Sequence, residues 1–320
     1  MTTASAPALE VQAQATRGRR RNVRPSWEEP PTKAGQAGKS AVLLVTVALV
    51  IVPLWMVVIT SFSTQGSVNR AGGMVLVPHG LTVEAYHQIF TNQLIIHSLI
   101  VSLAITLIGT VLSMVTTVLC AYGLSRSGSY GHRTILMVLV VTMFFSGGLI
   151  PTFLVVSALG GYDNYWSLVL PSAVSVFNIL VMRGFFAGTA QELIDAASID
   201  GAGDWRTLWS VVLPTSRAVT AVIALFYAVG YWNTFFNALL YLPDNNKWPL
   251  QMVIYTYTLQ GSALPGTGVT NTGQYFGNQQ IAPLAIQMAV VTLTLVPILL
   301  IYPFVQRHFT KGMLLGAIKG

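Results

Sequence analysis

Charge is what this chain has least of. Only 8% of its 320 residues are Asp, Glu, Lys or Arg, against about a quarter in an ordinary soluble domain, and 53% are hydrophobic. A water-exposed globule is excluded. Cysteine is nearly absent: the single Cys120 rules out an intrachain disulfide and leaves a packing role as the expectation. The five histidines stand singly, with no H-E-x-x-H, no paired cysteines and no G-x-S-x-G, so zinc hydrolysis and a nucleophile elbow have no residues to work with. Ala37-Gly38-Lys39-Ser40 imitates the end of a phosphate-binding loop, but Lys33 stands where its first glycine belongs and no strand precedes it. A nucleotide cradle built on backbone N–H groups needs both.

What is present is apolar length. Runs without Asp, Glu, Lys or Arg cover residues 41–62, 94–122, 134–162, 165–182, 218–242 and 281–306. Each reaches the roughly 18–20 residues that cross about 30 Å of hydrocarbon at about 1.5 Å per residue. Backbone groups in lipid must pair within their own segment, and no run alternates apolar and polar as a membrane barrel strand does. The expected fold is all-α, a polytopic membrane protein with six transmembrane helices. Prolines 53, 151, 171, 283 and 297 predict local bends, which membrane helices tolerate.

The basic residues give an orientation. With both termini in the cytoplasm, fifteen of the seventeen Lys and Arg lie inside, and only Arg70 and Lys247 lie outside. That is the positive-inside asymmetry, and it accounts for the net charge of +7 without invoking nucleic acid. Residues 1–40 hold Arg19, Arg20 and Arg21 with little apolar content, so they are expected to be a disordered basic tail. The first apolar run exceeds the usual 7–15 residues of a cleavable signal and is expected to stay as a helix.

Outside the runs, residues 81–90 carry apolar groups at helical spacing and predict a short helix on the outer surface. Residues 163–164 are expected to be a tight turn, and 243–280 a long polar loop. Ion-driven carriers need acids, bases or histidines within the membrane; this chain offers only His97, expected to pack. Energy for any active transport must therefore come from outside the chain.

The most strongly charged break between apolar runs is residues 191–217, with acids at Glu192, Asp195, Asp200 and Asp204. Residues 191–198 favour helix, Ala196 and Ala197 offer a small-residue surface, and Gly201 and Gly203 permit a sharp turn. Trp205, Leu208, Trp209 and Val212 then repeat at i, i+3, i+4 and i+7, predicting one apolar face anchored by tryptophan, and Pro214 ends or kinks that helix. The expectation is a helix-turn-helix elbow that either transmits force or merely connects two spans.

The core Asp195-Ala196-Ala197-x-x-Asp200-Gly201, followed by Leu213-Pro214, resembles the Glu-Ala-Ala motif of permease subunits of binding-protein-dependent ABC importers. Phe145-Ser146-Gly147-Gly148-Leu149-Ile150-Pro151-Thr152, Tyr231-Trp232-Asn233 and the ending Tyr302-Pro303-Phe304 through Lys311 to Gly320 are similar to maltose-permease-like members of the carbohydrate group, above all those handling oligosaccharides in Gram-positive bacteria. The likeness covers roughly residues 35–320.

This resemblance implies a type I ABC importer permease fold in the bacterial plasma membrane, with residues 191–217 as the coupling segment. It implies a heterodimer with a second permease subunit, two ATPase subunits that bind ATP and Mg, an extracytoplasmic solute-binding protein, and an oligosaccharide substrate. No catalysis and no cofactor fall to this chain. The coupling residues it implies are Asp195, Ala196, Ala197, Asp200, Gly201 and Pro214, and the C-terminal tail would reach toward the ATPases. Asp195 departs from the motif's glutamate by one methylene. For the substrate pathway, Tyr227, Tyr231, Trp232, Asn233, Phe236 and Asn237 in the fifth run offer aromatic faces and amides suited to sugars; the same residues would also suit the interfacial belt next to lipid. Two rivals stay open: an ABC permease for a non-sugar solute, and an ion-coupled secondary carrier.

Overall fold

A computed structural model describes residues 32–316 apart from 127, 129, 146, 190, 259–274, 277–278 and 281–282. The helices are α1 (Lys33–Ser61), α2 (Gln65–Ala71), α3 (Glu84–Thr91), α4 (Gln93–Ser125), α5 (His132–Phe144), α6 (Leu149–Ala158), α7 (Trp166–Val169), α8 (Val176–Thr189), α9 (Gln191–Ile199), α10 (Asp204–Thr207), α11 (Leu213–Thr215), α12 (Arg217–Trp232), α13 (Phe236–Tyr241), α14 (Leu250–Thr258) and α15 (Pro283–Gly316). Tyr275–Phe276 and Gln279–Gln280 pair as a two-residue antiparallel ladder, which leaves the fold all-helical.

The chain divides into two compact units, Met1–Pro53 and Leu54–Gly320. In the first, α1 begins at Lys33, so residues 33–40, including the imitation of a phosphate loop, are helical and not tail. Residues 1–31 lie outside the described ones. The apolar side chains Val42, Leu43, Leu44 and Leu49 are all exposed, as a span bordered by lipid or another subunit requires.

In the second unit α12 lies against α4, α8 and α15. α4 starts where the Asn92 side chain accepts from the Leu94 N–H at 3.0 Å, satisfying one of the four orphan donors of a helix N-terminus. It runs 33 residues, about 50 Å, and projects beyond the hydrocarbon. Its C-terminal end is fastened by Arg183 on α8, whose Nε donates to the Leu124 carbonyl at 2.8 Å. A cation at a helix C-terminus meets both an unpaired carbonyl and the negative end of the dipole.

Six spans with local bends at proline were expected, and the bends are the more pronounced feature. Among the described residues Lys33–Ser61, Gln93–Ser125 and Leu284–Pro303 are each long and apolar enough to cross alone, and up to six crossings result if three bent pairs, His132–Phe144 with Leu149–Ala158, Trp166–Ser172 with Val176–Gly188 and Asp204–Thr215 with Arg217–Trp232, each count as one. Residues 134–162 divide into α5 and α6, with Gly148 at φ 79° just before α6. Residues 165–182 bend by 48° at the 3-10 turn Leu170–Ser172, because Pro171 has no N–H to continue an α ladder. The run 218–242 is broken after Trp232: Asn233 and Thr234 interrupt it before α13. Alone, the 16 residues of α12 span about 24 Å, short of the roughly 30 Å of hydrocarbon.

Two loops are more ordered than their composition suggests. The surface helix expected at 81–90 is α3, with Ala85 and Ile89 buried. Part of the expected polar loop 243–280 is α14, whose Leu250, Val253 and Tyr257 are wholly buried against Ile89, Ile95, Trp232 and Ile286. At the opposite end from Arg183, Asp163 adopts a left-handed φ of 59°, and Lys247 Nζ donates to its carboxylate at 2.5 Å and its carbonyl at 2.9 Å. The hydrogen bond to Asp163 raises the Lys247 pKa above the ordinary 10.5. Because the raised value belongs to the folded chain, this contribution is complete below the ordinary lysine range and is lost only as pH climbs through the raised value.

Candidate functional site

The elbow forms as a Schellman-capped helix. α9 ends with Gly201 at φ 77°; the Ala202 N–H reaches the Ala197 carbonyl at 2.9 Å and the Gly201 N–H reaches the Ser198 carbonyl at 3.1 Å. Those two bonds satisfy orphan carbonyls through a left-handed residue, which glycine adopts without strain. Gly203, at φ −71°, is ordinary extended backbone and takes no part in the special conformation.

The second arm, α10 through α11, meets α12 at 86°. Pro214 sits in its last turn and the break falls at Ser216. Leu208–Val212 just before it is a π-helix. In a regular α turn the Pro214 ring would meet the Ser210 carbonyl, and a widened turn relieves that contact.

The tryptophan anchor expected from the i, i+3, i+4, i+7 pattern does not form. Leu208 and Val212 are buried at 1% and 0%, whereas Trp205 and Trp209 are 67% and 65% exposed. The four residues split into two faces along this arm, and the aliphatic pair alone enters the core, where Ile194 of α9 joins it. Asp195, Ala196, Asp200 and Gly201 are exposed and Ala197 is half-buried, so the motif residues share the outward side of a helix whose Ile194 faces in.

A contact with no sequence signal ties the elbow to α4. Arg126, just beyond its C-terminus, pairs with Asp204 in the first turn of α10, where an acid also favours the helix dipole. The guanidinium stands over the Tyr122 ring, 5.7 Å from its centroid. The pair is largely solvated, so its worth is about 0–1 kcal/mol; it orients the arm more than it stabilises it.

The aromatic candidates of the fifth run separate into two groups. Tyr227, Tyr231 and Trp232 are buried and their polar atoms are satisfied within the chain. Tyr227 Oη lies 2.7 Å from Thr117 Oγ1 and accepts from the Ser175 N–H at 3.3 Å. Tyr231 donates to the Val169 carbonyl at 3.1 Å, which leaves Ser113 as the donor in the 2.8 Å contact between their hydroxyls. Trp232 Nε1 donates to the Thr294 carbonyl at 3.2 Å. Under the Tyr231 ring sits Gly109, where a Cβ would come within 2.8 Å of three ring atoms. Gly109, Ser113 and Thr117, four residues apart on α4, form a small-residue stripe that lets α12 approach closely. That spacing was visible in the sequence and would have found the contact.

Asn233, Phe236 and Asn237 are less covered. With Ser172, Gly230, Thr234 and Phe235 they line a cleft of about 270 Å³ at the break between α12 and α13, floored by Tyr227 and Tyr231. Asn233 Nδ2 and Thr234 Oγ1 turn back onto the Val229 and Gly230 carbonyls at 2.8 and 3.2 Å, satisfying groups that the break would leave open. A larger groove of about 380 Å³, between α4 and α7, is lined by Val101, Ala104, Ile105, Ile108, Leu112 and neighbours and has nothing to bond a hydroxyl-rich solute. His97 and Cys120, expected to pack, are both exposed on α4. Among the described residues no three His, Cys, Asp or Glu side chains converge as a metal site would need.

An elbow capped by glycine, an all-helical membrane core and a helix broken beside a polar cleft now stand together. Residues 114–315 match the family described as "Binding-protein-dependent transport system inner membrane component". The chain belongs to that family. It is 40% identical over 278 residues, 87% of this chain and 96% of the relative, to the "Polygalacturonan/rhamnogalacturonan transport system permease protein YtcP" of Bacillus subtilis (strain 168). It is also 40% identical to "Protein LplC" of the same organism, over 85% of this chain and 90% of the relative. Among solved structures, one chain of a bacterial ABC transporter "involved in the import of the acidic polysaccharide alginate" superposes with a TM-score of 0.80 at 26% identity, covering 88% of this chain and all of that one. This permease subunit of a carbohydrate ABC importer serves oligosaccharide uptake. As a multi-pass helical inner-membrane component it is not catalytic and carries no cofactor of its own.

Proposed function

We propose that this permease forms one half of a pathway for uronate-bearing oligosaccharides and that a separate motor drives it through the elbow at residues 191–217. The observation that carries the mechanical part is continuity of packing. Ile194, Leu208 and Val212 of the elbow belong to the same buried cluster as Tyr227 and Tyr231, which floor the cleft. Protein interiors are close-packed and transmit displacement, so a push on the outward face of α9, at Asp195, Ala196, Ala197, Asp200 and Gly201, reaches α12 without a flexible link.

The cleft supports the sugar reading on its chemistry. Phe235 and Phe236 offer ring faces, Asn233, Asn237, Thr234 and Ser172 offer hydroxyl-pairing groups, and no Lys, Arg, Asp or Glu lines it. An anionic sugar would meet neither repulsion nor a trapping counter-charge there. At about 270 Å³ the cleft is at the small end of ligand sites, which run about 300–1,000 Å³. An oligosaccharide needs a second wall, and a related permease subunit would supply it. Two ATPase subunits and an extracytoplasmic binding protein complete the assembly, which sits in a bacterial plasma membrane with both termini of this chain in the cytoplasm. The placement of fifteen of seventeen basic residues on one side supports that orientation.

The test is uptake into proteoliposomes holding the assembled importer with its binding protein. ATP-dependent uptake of labelled oligogalacturonides, in preference to neutral oligosaccharides of the same length, is the expected result. Preference for neutral sugars would overturn the uronate reading, and uptake by this chain alone under a proton or sodium gradient would overturn the motor.

A further inference from the structure

Residues 71–83 carry no Asp, Glu, Lys or Arg and are flanked by Arg70 and Glu84. They connect α2 to α3 at the end of α1 opposite the elbow, where a soluble loop would be expected. Their hydrogen bonds place them otherwise. The Val75 N–H donates to Thr60 Oγ1 at 2.8 Å, and the Leu76 carbonyl accepts from Trp55 Nε1 at 3.0 Å. Trp55 lies six residues before Ser61, the last residue of α1, which is about 9 Å of helix rise. Side chains on a helix lean toward its N-terminus, so the indole carries the Leu76 carbonyl no closer to the helix end than Trp55 itself.

The chain then climbs back. The His79 N–H donates to Ser67 Oγ at 3.2 Å, Leu81 bridges Ser63, and the Thr82 N–H reaches the Phe62 carbonyl at 2.8 Å. From Thr60 to Trp55 and back to Phe62, the segment traces a dip beside a spanning helix, with Leu76 and Val77 at its lowest point. Both are apolar and exposed, at 52% and 64%, and Met74 beside them is 43% exposed.

We infer that residues 74–77 are a wedge seated in the acyl-chain boundary of the leaflet opposite the elbow, with lipid as the occupant of their exposed face. α1 fixes the depth: the apolar run that begins at residue 41 needs about 20 residues to cross the hydrocarbon, which puts its far boundary near Ser61 and Trp55 inside it. Backbone at that depth must be satisfied by protein, and the Thr60 and Trp55 side chains satisfy the Val75 N–H and the Leu76 carbonyl. Apolar side chains at the headgroup boundary gain by entering about 5–10 Å, and a charge-free run permits it.

The experiment places single cysteines by Leu76→Cys, Val77→Cys and, as the aqueous reference, Arg70→Cys in a Cys120→Ala chain, within the assembled importer in vesicles. A water-soluble maleimide should modify positions 76 and 77 slower than position 70 by on the order of tenfold or more. A bimane attached at either position should be quenched when the vesicles are made with brominated-acyl phosphatidylcholine. Labelling as fast as at position 70 overturns the wedge. Slow labelling without quenching overturns lipid as the occupant and assigns the face to a protein neighbour. Two adjacent positions guard against one variant that misfolds.

Discussion

The elbow and the aromatic stretch of α12 are both polar interruptions of an apolar chain, and they end in opposite conditions. On α12, Tyr227, Tyr231 and Trp232 spend their polar atoms on Thr117, Ser113 with Val169, and Thr294, so three helices are stitched to one. On the elbow, the motif residues face outward, and Ile194, Leu208 and Val212 form its apolar footing. A region whose polar groups are satisfied internally is a fixed frame. A region whose polar face is exposed and whose apolar footing is small is one that an external partner can load.

The sharpest way to break this contrast is to remove the footing. Leu208→Ala empties a position that is 1% exposed, and such truncations cost about 2–5 kcal/mol. Hydrogen exchange across residues 193–216 should rise while α4 and α12 keep their protection. Equal loss of protection everywhere would mean that the elbow is not a separable element. Gly109→Val attacks the frame instead: its Cβ would meet the Tyr231 ring at 2.8 Å, and overpacking of this kind costs about 1–3 kcal/mol. Thermal unfolding in detergent should move down for Gly109→Val and stay nearly unchanged for Gly230→Ala, where no atom lies within 4 Å.

A smaller effect separates conformation from bulk in the elbow's turn. Nothing lies within 4 Å of a Cβ at Gly201, but its φ is 77°. Gly201→Val therefore carries the left-handed penalty of about 1–2 kcal/mol without a clash, and Gly201→Asn, which tolerates that conformation, should lose less. Coupled ATP hydrolysis and uptake, measured with membrane insertion as the control, should rank wild type, Asn, Val. Equal activity of all three would remove the tight turn from the mechanism.

The sequence carried the membrane class, the elbow's first arm and its glycine turn, because each rests on a local property: run length, helix propensity or a left-handed position. It misjudged features that depend on what packs where. Trp205 and Trp209 match the period of Leu208 and Val212 only in a uniform helix, and the π turn ahead of Pro214 places them apart. The fifth run looked continuous because composition does not register that Asn233 and Thr234 stop α12. Residues 243–258 looked like loop because α14 is short and its stability comes from burial of Leu250, Val253 and Tyr257, not from its own propensity. Arg126 and Asp204, 78 residues apart, had no sequence signal at all.

The account turns on the exposed face of α9 being where the motor presses. Ala196 is exposed whereas Ala197 is half-buried, so Ala196→Cys in a Cys120→Ala chain is the position to probe. A short bifunctional maleimide, applied to cells taking up the sugar, should join Ala196→Cys to the ATPase subunit, with a yield that changes when ATP is depleted. Uptake that proceeds normally while this position never captures the ATPase would contradict the account.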